Sequence, residues 1–384
     1  MGSAVENKVP EVYVVSGNVF SPLGKTTQTN FEALKTGQTA VKLRTDASLS
    51  TDPFFASLFD RKENFYEDNE QKYSRFERIL LASITDALQL GGINPEDKNT
   101  VLILSSTKGN IGLLETEEDS AQLNERISLS ASAKLIAAHF GFQNIPVVIS
   151  NACISGVSAI ITALRLLRSG QYGNAVIAGA DVMSRFIVSG FQSFQALSSD
   201  VCKPFDKSRD GLNLGEGAGT IILSTSKKYQ LNVKVLGGAV SNDANHISAP
   251  SRTGQELGYA ISKALQDAGK EASDIGFISA HGTATIFNDE MEASALTIAN
   301  LQNVPLNSLK GNYGHTLGAA GLIESIISIQ SLLQGVVLPT LNYKDSGVTD
   351  AVNVCSSLTH TEATAFLKTA SGFGGCNAAV VFGK

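Results

Sequence analysis

The sequence predicts an α/β fold, and three of its features point that way. Short β-rich runs alternate with stretches of helical apolar period, the pattern of helices laid over sheets. Glycine is plentiful, 35 in 384 residues, and clusters at turns, while no Pro- or Ser-rich linker divides the chain. A weak internal repeat sets similar stretches far apart in the chain, as in a duplicated fold of two like halves.

The elements follow in order. "EVYVVSG" from Glu11 is the first β-rich run, and "RFERILLASITDALQLGG" from Arg75 is a helix by its apolar period and its closing glycine pair. Next come "NTVLILSST", "PVVISNA", "NAVIAGA" and "GTIILS", then "VKVLGGAV" from Val233, each a strand bounded by turn residues. "ELGYAISKALQDAG" from Glu256 is again helical, and "DIGFISAHG" and "AAVVFG" complete the β-rich set. "IPVVISNACISGVSAIITALRLLRSGQ" and "VPLNSLKGNYGHTLGAAGLIESIISIQSLLQG" share one pattern: strand, turn, small-residue helix, aliphatic run. "NTVLILSSTKGNIG" parallels "DIGFISAHGTATIF" in the same way. The halves so defined cover about 1–229 and 230–384 of a single unit, and a pseudo-twofold relating them would bring corresponding turns together.

Composition bounds the function. With 43% hydrophobic and 17% charged residues the chain is large enough for one big core or two packed halves. A net charge of −6 and a pI near 5.5 argue against nucleic-acid binding, which calls for a basic excess. "KEN" and "EDNEQK" near Asp60–Lys72 read as a solvated loop or helix start. The four cysteines (Cys153, Cys202, Cys355, Cys376) contain no Cys-x-x-Cys pair, and the five histidines lack metal-ligand spacing. The opening "MGSAVENKVPE" is polar, so no signal peptide is expected, and no run of about 18 uncharged apolar residues suggests a membrane span. Reduced thiols and no targeting segment give the cytoplasm as the expected compartment.

One junction asks for a chemical explanation. In "VVISNACISGVSAIITAL" Cys153 sits where a strand gives way to a helix. A helix start carries unpaired N–H groups and about half a positive charge, so a thiol placed there ionises more easily and attacks better. Position alone favours an inert core thiol, since cysteine is among the most buried residues. The repeat supplies what position lacks, because Cys153, His281 and His315 stand at corresponding turns that duplication would bring to one site.

Four motifs then combine: "SNACISG", "HGTATIFNDEME", "KGNYGHTLGAAG" and "GFGGCN". Together and in this order they resemble the β-ketoacyl-ACP synthases, condensing enzymes of the thiolase-like fold, and most closely the elongating branch with a Cys-His-His set. The resemblance runs from "VVSGNVFSPLGKTTQTNFEALKTGQ" through "PFDKSRDGLNLGEGAG" to "GFGGCNAAVVFG". It implies duplicated halves in a five-layered αβαβα architecture. Cys153 is the implied nucleophile that accepts an acyl chain as a thioester. His281 and His315 are the implied pair that bind the malonyl thioester carbonyl and assist decarboxylation, since neutral N–H donors stabilise the enolate oxygen as charge develops. Lys310 matches the position that supports those histidines, and Glu324 the position where a carboxylate organises waters and the lysine; Asp289 and Glu292 match as structural pairings. The Phe373 N–H would join that of Cys153 in an oxyanion hole, with Phe373 as a gate flanked by glycines.

The same resemblance implies a decarboxylative Claisen condensation in fatty-acid or polyene and polyketide biosynthesis. It implies an acyl carrier protein as partner, a homodimer or heterodimer, and no cofactor beyond the carrier's phosphopantetheine arm. Lys203, Lys207 and Arg209 are candidates to meet an acidic carrier. "GEGAG" at Gly215–Gly219 suggests a phosphate loop but precedes a strand rather than a helix, which disfavours a nucleotide. Three positions depart from the family pattern: Ser371 where an aromatic is usual, Cys376 where threonine is common, and Lys108 where a small or aliphatic residue lies near the acyl pocket and dimer interface. Lys108 is thus an acyl-pocket candidate that suggests unsaturated or aryl-capped chains, since a cation over a π system gains about 0.5–2 kcal/mol. The rival is a non-catalytic chain-length-factor subunit. Such subunits usually lose the cysteine. Thiolases and initiating Cys-His-Asn synthases are disfavoured by the second histidine motif.

Overall fold

The computed structural model describes residues 9–63, 65–66, 72–229, 231–243 and 250–384. Residues 64 and 67–71 of the stretch near Asp60–Lys72 and the first eight residues lie outside that set. Ten strands form one continuous sheet. The first half of the chain supplies β1 (Tyr13–Phe20), β2 (Thr100–Ser105), β3 (Val147–Ile149), β4 (Asn174–Asp181) and β5 (Gly217–Ser224). The second supplies β6 (Lys234–Asn242), β7 (Phe277–Ser279), β8 (Leu306–Asn307), β9 (Ala365–Gly372) and β10 (Cys376–Gly383).

Their order is β3-β2-β4-β5-β1-β6-β10-β9-β7-β8, so each strand of one half has its counterpart five numbers on in the other. The halves join through one antiparallel pair, Tyr13 with Lys234. β2 pairs parallel with β3 and β4, and β7 pairs parallel with β8 and β9. The remaining ladders are antiparallel. Two sheets of five strands meeting at β1 and β6 describe the arrangement.

Five helices complete the layers: α1 (Arg75–Gly91), α2 (Ser155–Arg168), α3 (Gln255–Ala268), α4 (Ile286–Ile298) and α5 (Ala320–Gln334). α1 starts at a Ser74 cap with a reciprocal Glu77 bond and stops at Gly92, whose φ of 62° suits glycine. It lies on the outer face of β1, β5 and β4, burying Phe76, Ile79, Leu80 and Ile84. α3 covers β6 and β10 on the far side, and α4 packs beside α3. α2 and α5 lie between the two sheets and touch strands of both, and Ile160, Leu164, Leu322 and Ile326 form the central core there. The result is αβαβα in five layers.

Two glycines set how closely the central helices meet. A Cβ on Gly156 of α2 would lie 2.7 Å from the Leu322 N and 3.0 Å from the Gly318 O. One on Gly321 of α5 would lie 2.9 Å from the Val157 N. The helix starts touch backbone to backbone, a contact that only glycine allows. The stretch Leu317–Gln334 is long and apolar enough to cross a membrane, but 83% of it is buried as this inner layer.

One strand of the ten-stranded sheet escapes the pattern of β-rich runs. β9, "AFLKTASG", is buried along nearly its whole length but carries Lys368 and small polar residues where a buried strand is normally aliphatic.

Candidate active site

Cys153, His281, His315 and Phe373 line one cavity of about 380 Å³. Each is carried by a segment that follows the end of a strand: β3 for Cys153, β7 for His281, β8 for His315 and β9 for Phe373. The contact between Gly156 and Gly318 lies three residues beyond Cys153 and three beyond His315, so it fixes how near those two residues come. Three segments also hold a non-glycine residue at positive φ: Ala152 (43°), Ala284 (62°) and Leu317 (49°). Such a conformation costs about 1–3 kcal/mol and persists only where its surroundings enforce it.

Cys153 is only 9% exposed and lies two residues before α2. Burial pushes its thiol up to about 12, with Cys376 and Asp181 adding to the rise while Lys310 and the Phe373 N–H oppose it. The expectation of an easily ionised thiol at a helix start is therefore corrected: desolvation outweighs the helix start, and the resting thiol is neutral. The Phe373 N–H, which favours the ionised sulfur, is the donor expected for an oxyanion hole.

The imidazoles of His281 and His315 stand 5.3 Å apart between ring centres, tilted at 82°. Both are held well below the usual histidine range, first by burial and then by the Lys310 ammonium. His315 and Lys368 lower His281 further, and Lys368 also lowers His315. Both rings are neutral at pH 7, and each offers one N–H. The His315 Nδ1 has no hydrogen-bond partner among the described residues.

The supporting residues act on the backbone. Glu292 accepts from the N–H groups of His281 (2.8 Å) and Gly282 (2.7 Å) and from the Thr369 hydroxyl (2.6 Å). Asp289 accepts from the N–H groups of Thr283 (3.0 Å) and Phe205 (2.7 Å), and burial lifts its carboxyl to about 7. Lys310 donates to the His281 carbonyl at 3.1 Å and pairs with Glu324. Burial works to raise the Glu324 carboxyl, yet Lys310 and Lys368 together hold it below its ordinary value.

Phe373, 38% exposed, stacks on Phe191 (5.8 Å, 23°) and meets Phe194 edge-on (5.3 Å, 65°) at the cavity. Gly374 (φ 86°) and Gly375 (φ 73°) follow it at angles that strain other residues. The Cys376 thiol donates to the carbonyls of Phe373 (3.4 Å) and Asn151 (3.7 Å), tying the Phe373 turn to the cysteine turn. The Ser371 hydroxyl donates to Asn377 at 2.7 Å.

Some predicted residues lie elsewhere. Lys108 is exposed, outside the Cys153 cavity, with its ammonium 5.7 Å from the centre of the Phe186 ring. The cause is Asp181, a buried carboxylate that accepts from the Lys108 N–H at 3.2 Å, from Ser106 at 2.8 Å and from the Gly318 N–H at 2.7 Å, which fixes this turn by its backbone. Arg209 is buried against Glu290 (3.2 Å) and the carbonyls of Asp206 and Gly347, so it is an internal tie rather than a docking cation. Lys207 is exposed and Lys203 half-buried. Gly217–Gly219 of "GEGAG" run into β5, which leaves no loop there to cradle a phosphate.

Sequence reasoning missed Asp181 and Lys368. Lys368 is fully buried, donates to the carbonyls of Ser279 (3.1 Å) and Ala280 (3.0 Å), and pairs with Glu324 at 2.6 Å. A lone charge inside the buried run "AFLKTASG" was the available signal.

The family model for the beta-ketoacyl synthase N-terminal domain matches residues 10–228, and that for the C-terminal domain matches residues 233–344. The chain is 29% identical over 408 residues to the 3-oxoacyl-[acyl-carrier-protein] synthase 2 of Vibrio cholerae serotype O1, covering 97% of this chain and 98% of that one. Among solved structures it is similar to a chain of the ishigamide ketosynthase/chain length factor (TM-score 0.89, 26% identity, covering 98% and 99%). It is also similar to a chain of the ketosynthase in complex with its chain length factor from Xenorhabdus doucetiae (TM-score 0.87, 25% identity, both chains covered in full).

Proposed function

The chain belongs to the β-ketoacyl synthase family, and we propose that it is a catalytic member, condensing a Cys153-bound acyl group with malonyl-ACP to give 3-oxoacyl-ACP and CO₂. One observation carries the reading: a thiol and two neutral imidazoles share one buried cavity. A subunit that only shaped a neighbour's pocket would have no use for that set.

In the first step the Cys153 sulfur attacks the carbonyl of an acyl thioester on the carrier. The N–H groups of Cys153 and Phe373 hold the oxyanion, and the carrier's thiolate leaves and takes up the proton that Cys153 gives up. In the second step the bond to the malonyl carboxylate breaks and its electron pair moves toward the thioester oxygen. The N–H donors of His281 and His315 stabilise that oxygen as CO₂ departs. A protonated histidine would lose its proton to so basic a centre, so neutral rings suit stabilisation without transfer. In the third step the enolate carbon attacks the acyl carbonyl, the new C–C bond forms, and the sulfur of Cys153 leaves as a thiolate that takes up a proton from water. These steps use this chain's groups and the carrier's phosphopantetheine arm, with no metal or nucleotide. The pairing of ketosynthase with chain length factor in both solved relatives supports a working dimer with itself or with a second ketosynthase-like subunit.

The test is incubation with acyl-ACP and malonyl-ACP, read by intact mass and by CO₂ release. Wild type should gain the acyl mass, Cys153→Ala should gain none, and product should follow only with malonyl-ACP. Wild type that neither acylates nor releases CO₂, alone or with a partner subunit, would replace this reading with the chain-length-factor one.

A further inference from the structure

Lys368 is a buried cation that the steps above do not use. Its ammonium has three described partners, the carbonyls of Ser279 and Ala280 and one oxygen of Glu324. Those carbonyls belong to the two residues just before His281. The other oxygen of Glu324 pairs with Lys310, whose ammonium also holds the His281 carbonyl. Three successive carbonyls, 279 to 281, are thus gripped by two ammonium groups that share one carboxylate.

We propose that Lys368 is a second positioning cation of the two-histidine site, fixing the end of β7 that carries His281 and, with Lys310, placing two positive charges against the single negative charge of Glu324. This rests on the catalytic reading above. The positively charged surroundings penalise protonation of His281, which keeps its N–H a neutral donor to the enolate oxygen. They also favour the negative charge that develops on decarboxylation.

The charged and titratable groups facing His281 are few. Lys310 and Lys368 are the cations, Glu324 and Glu292 the anions, and His315 and Cys153 the titratable neighbours. Glu292 is engaged by the N–H groups of His281 and Gly282 and by Thr369, and Asp289 lies beyond it on the Thr283 N–H. Among the described residues Glu324 alone balances both ammonium groups by direct pairing. Lys368 therefore acts in two ways, one mechanical through the carbonyls and one electrostatic.

Two variants separate these. Lys368→Gln keeps an amide donor for the carbonyls and removes the charge, and Lys368→Met removes both. The first readout does not depend on turnover: the histidine ring signals are followed by NMR from pH 8 down to the acid limit of the fold, with His281 assigned by its loss in His281→Ala. His281 should titrate about one pH unit higher in Lys368→Gln than in wild type, because a nearby like charge has gone. CO₂ release from malonyl-ACP should show its acid limb displaced by the same amount, with acylation of Cys153 unchanged. Lys368→Met should show that shift and a further loss of at least about tenfold in decarboxylation at pH 7. An unmoved His281 midpoint in Lys368→Gln overturns the proposal, whatever the activity. If Lys368→Met does not fold, Lys368→Gln decides alone. Wild type that releases no CO₂ while His281 still shifts in the variant counts against the catalytic reading and not against the role of Lys368 beside His281.

Discussion

Gly156→Ala tests the contact that brings the two halves of the site together. The added Cβ would meet the Leu322 N at 2.7 Å, the Gly318 O at 3.0 Å and the Gly321 carbonyl carbon at 3.3 Å. All three are backbone atoms on a buried helix and the turn before it, so no side chain can swing away. The variant must separate α2 from α5 by a few tenths of an ångström. Overpacking of this kind costs about 1–3 kcal/mol. With an unfolding entropy of about 2.1 cal/mol/K per residue, 1 kcal/mol shifts Tm by only about 1.2 °C in a chain of 384 residues, so Tm should fall by roughly 1–4 °C. Catalysis should suffer more than stability, because the separation moves Cys153 relative to His315, and a misplacement of about 1 Å can cost about a hundredfold. Differential scanning calorimetry gives the first quantity and condensation of acyl-ACP with malonyl-ACP the second. Gly190→Ala is the control: it lies in the helix Arg185–Ser193 with nothing within 4 Å of the added methyl, and it should match or slightly exceed wild type in stability. If Gly156→Ala melts at the wild-type temperature, within about 0.5 °C, and condenses at the wild-type rate, the close approach does not set the site.

His281→Ala and His315→Ala should still take an acyl group on Cys153 but lose about a hundred- to a thousandfold in CO₂ release; near-normal release in both would exclude the enolate role. Lys108→Ile should leave the rate ratio between an enoyl-ACP and a saturated acyl-ACP of equal length within about twofold of wild type, because Lys108 lies outside the cavity; a larger change would restore it as a pocket residue. Asp206 is held at about 2, against burial, by the Ser208 hydroxyl and the N–H groups of Ser208, Lys344 and Asp345. A depressed carboxyl stabilises the fold above its ordinary value of 3.8 and loses that contribution as pH falls toward 2. Asp206→Asn should therefore be less stable by about 2 kcal/mol at pH 7, with the gap in urea unfolding closing below pH 4; a gap that does not vary with pH would show that the charge is not what stabilises.

The turns that matter were legible because each joins an aliphatic strand to a run of small residues, and that pattern occurs twice in the chain. Cys153 and His315 could be aligned on it before any coordinates. What failed was what depends on surroundings rather than on neighbours in sequence. The helix-start argument for Cys153 is local, whereas the burial that overrides it is set by the tertiary fold, with Gly372 at the end of β9 lying close against the Cys153 backbone. Lys108 looked like a pocket residue because its place in the chain is near one. Its side chain is turned outward by Asp181, 73 residues later, which holds the backbone of that turn. β9 was missed because a strand that feeds a polar site from inside the core cannot be uniformly apolar. Lys368 and Thr369 break the hydrophobic pattern, and they do so because they face Glu324 and Glu292.

Cys153 and His315 occupy matching places in the two halves, 162 residues apart, and Gly156 and Gly318 repeat that spacing. Were the same arrangement built from two identical copies of one half, the axis would present two thiols or two imidazoles. Two thiols have no donor for an enolate, and two imidazoles have no sulfur to carry an acyl chain. Joining the copies in one chain lets each position diverge alone. On the proposed mechanism one helix start then keeps the acyl chain while its twin stabilises the charge left behind when CO₂ departs, so a symmetric frame would support an asymmetric reaction.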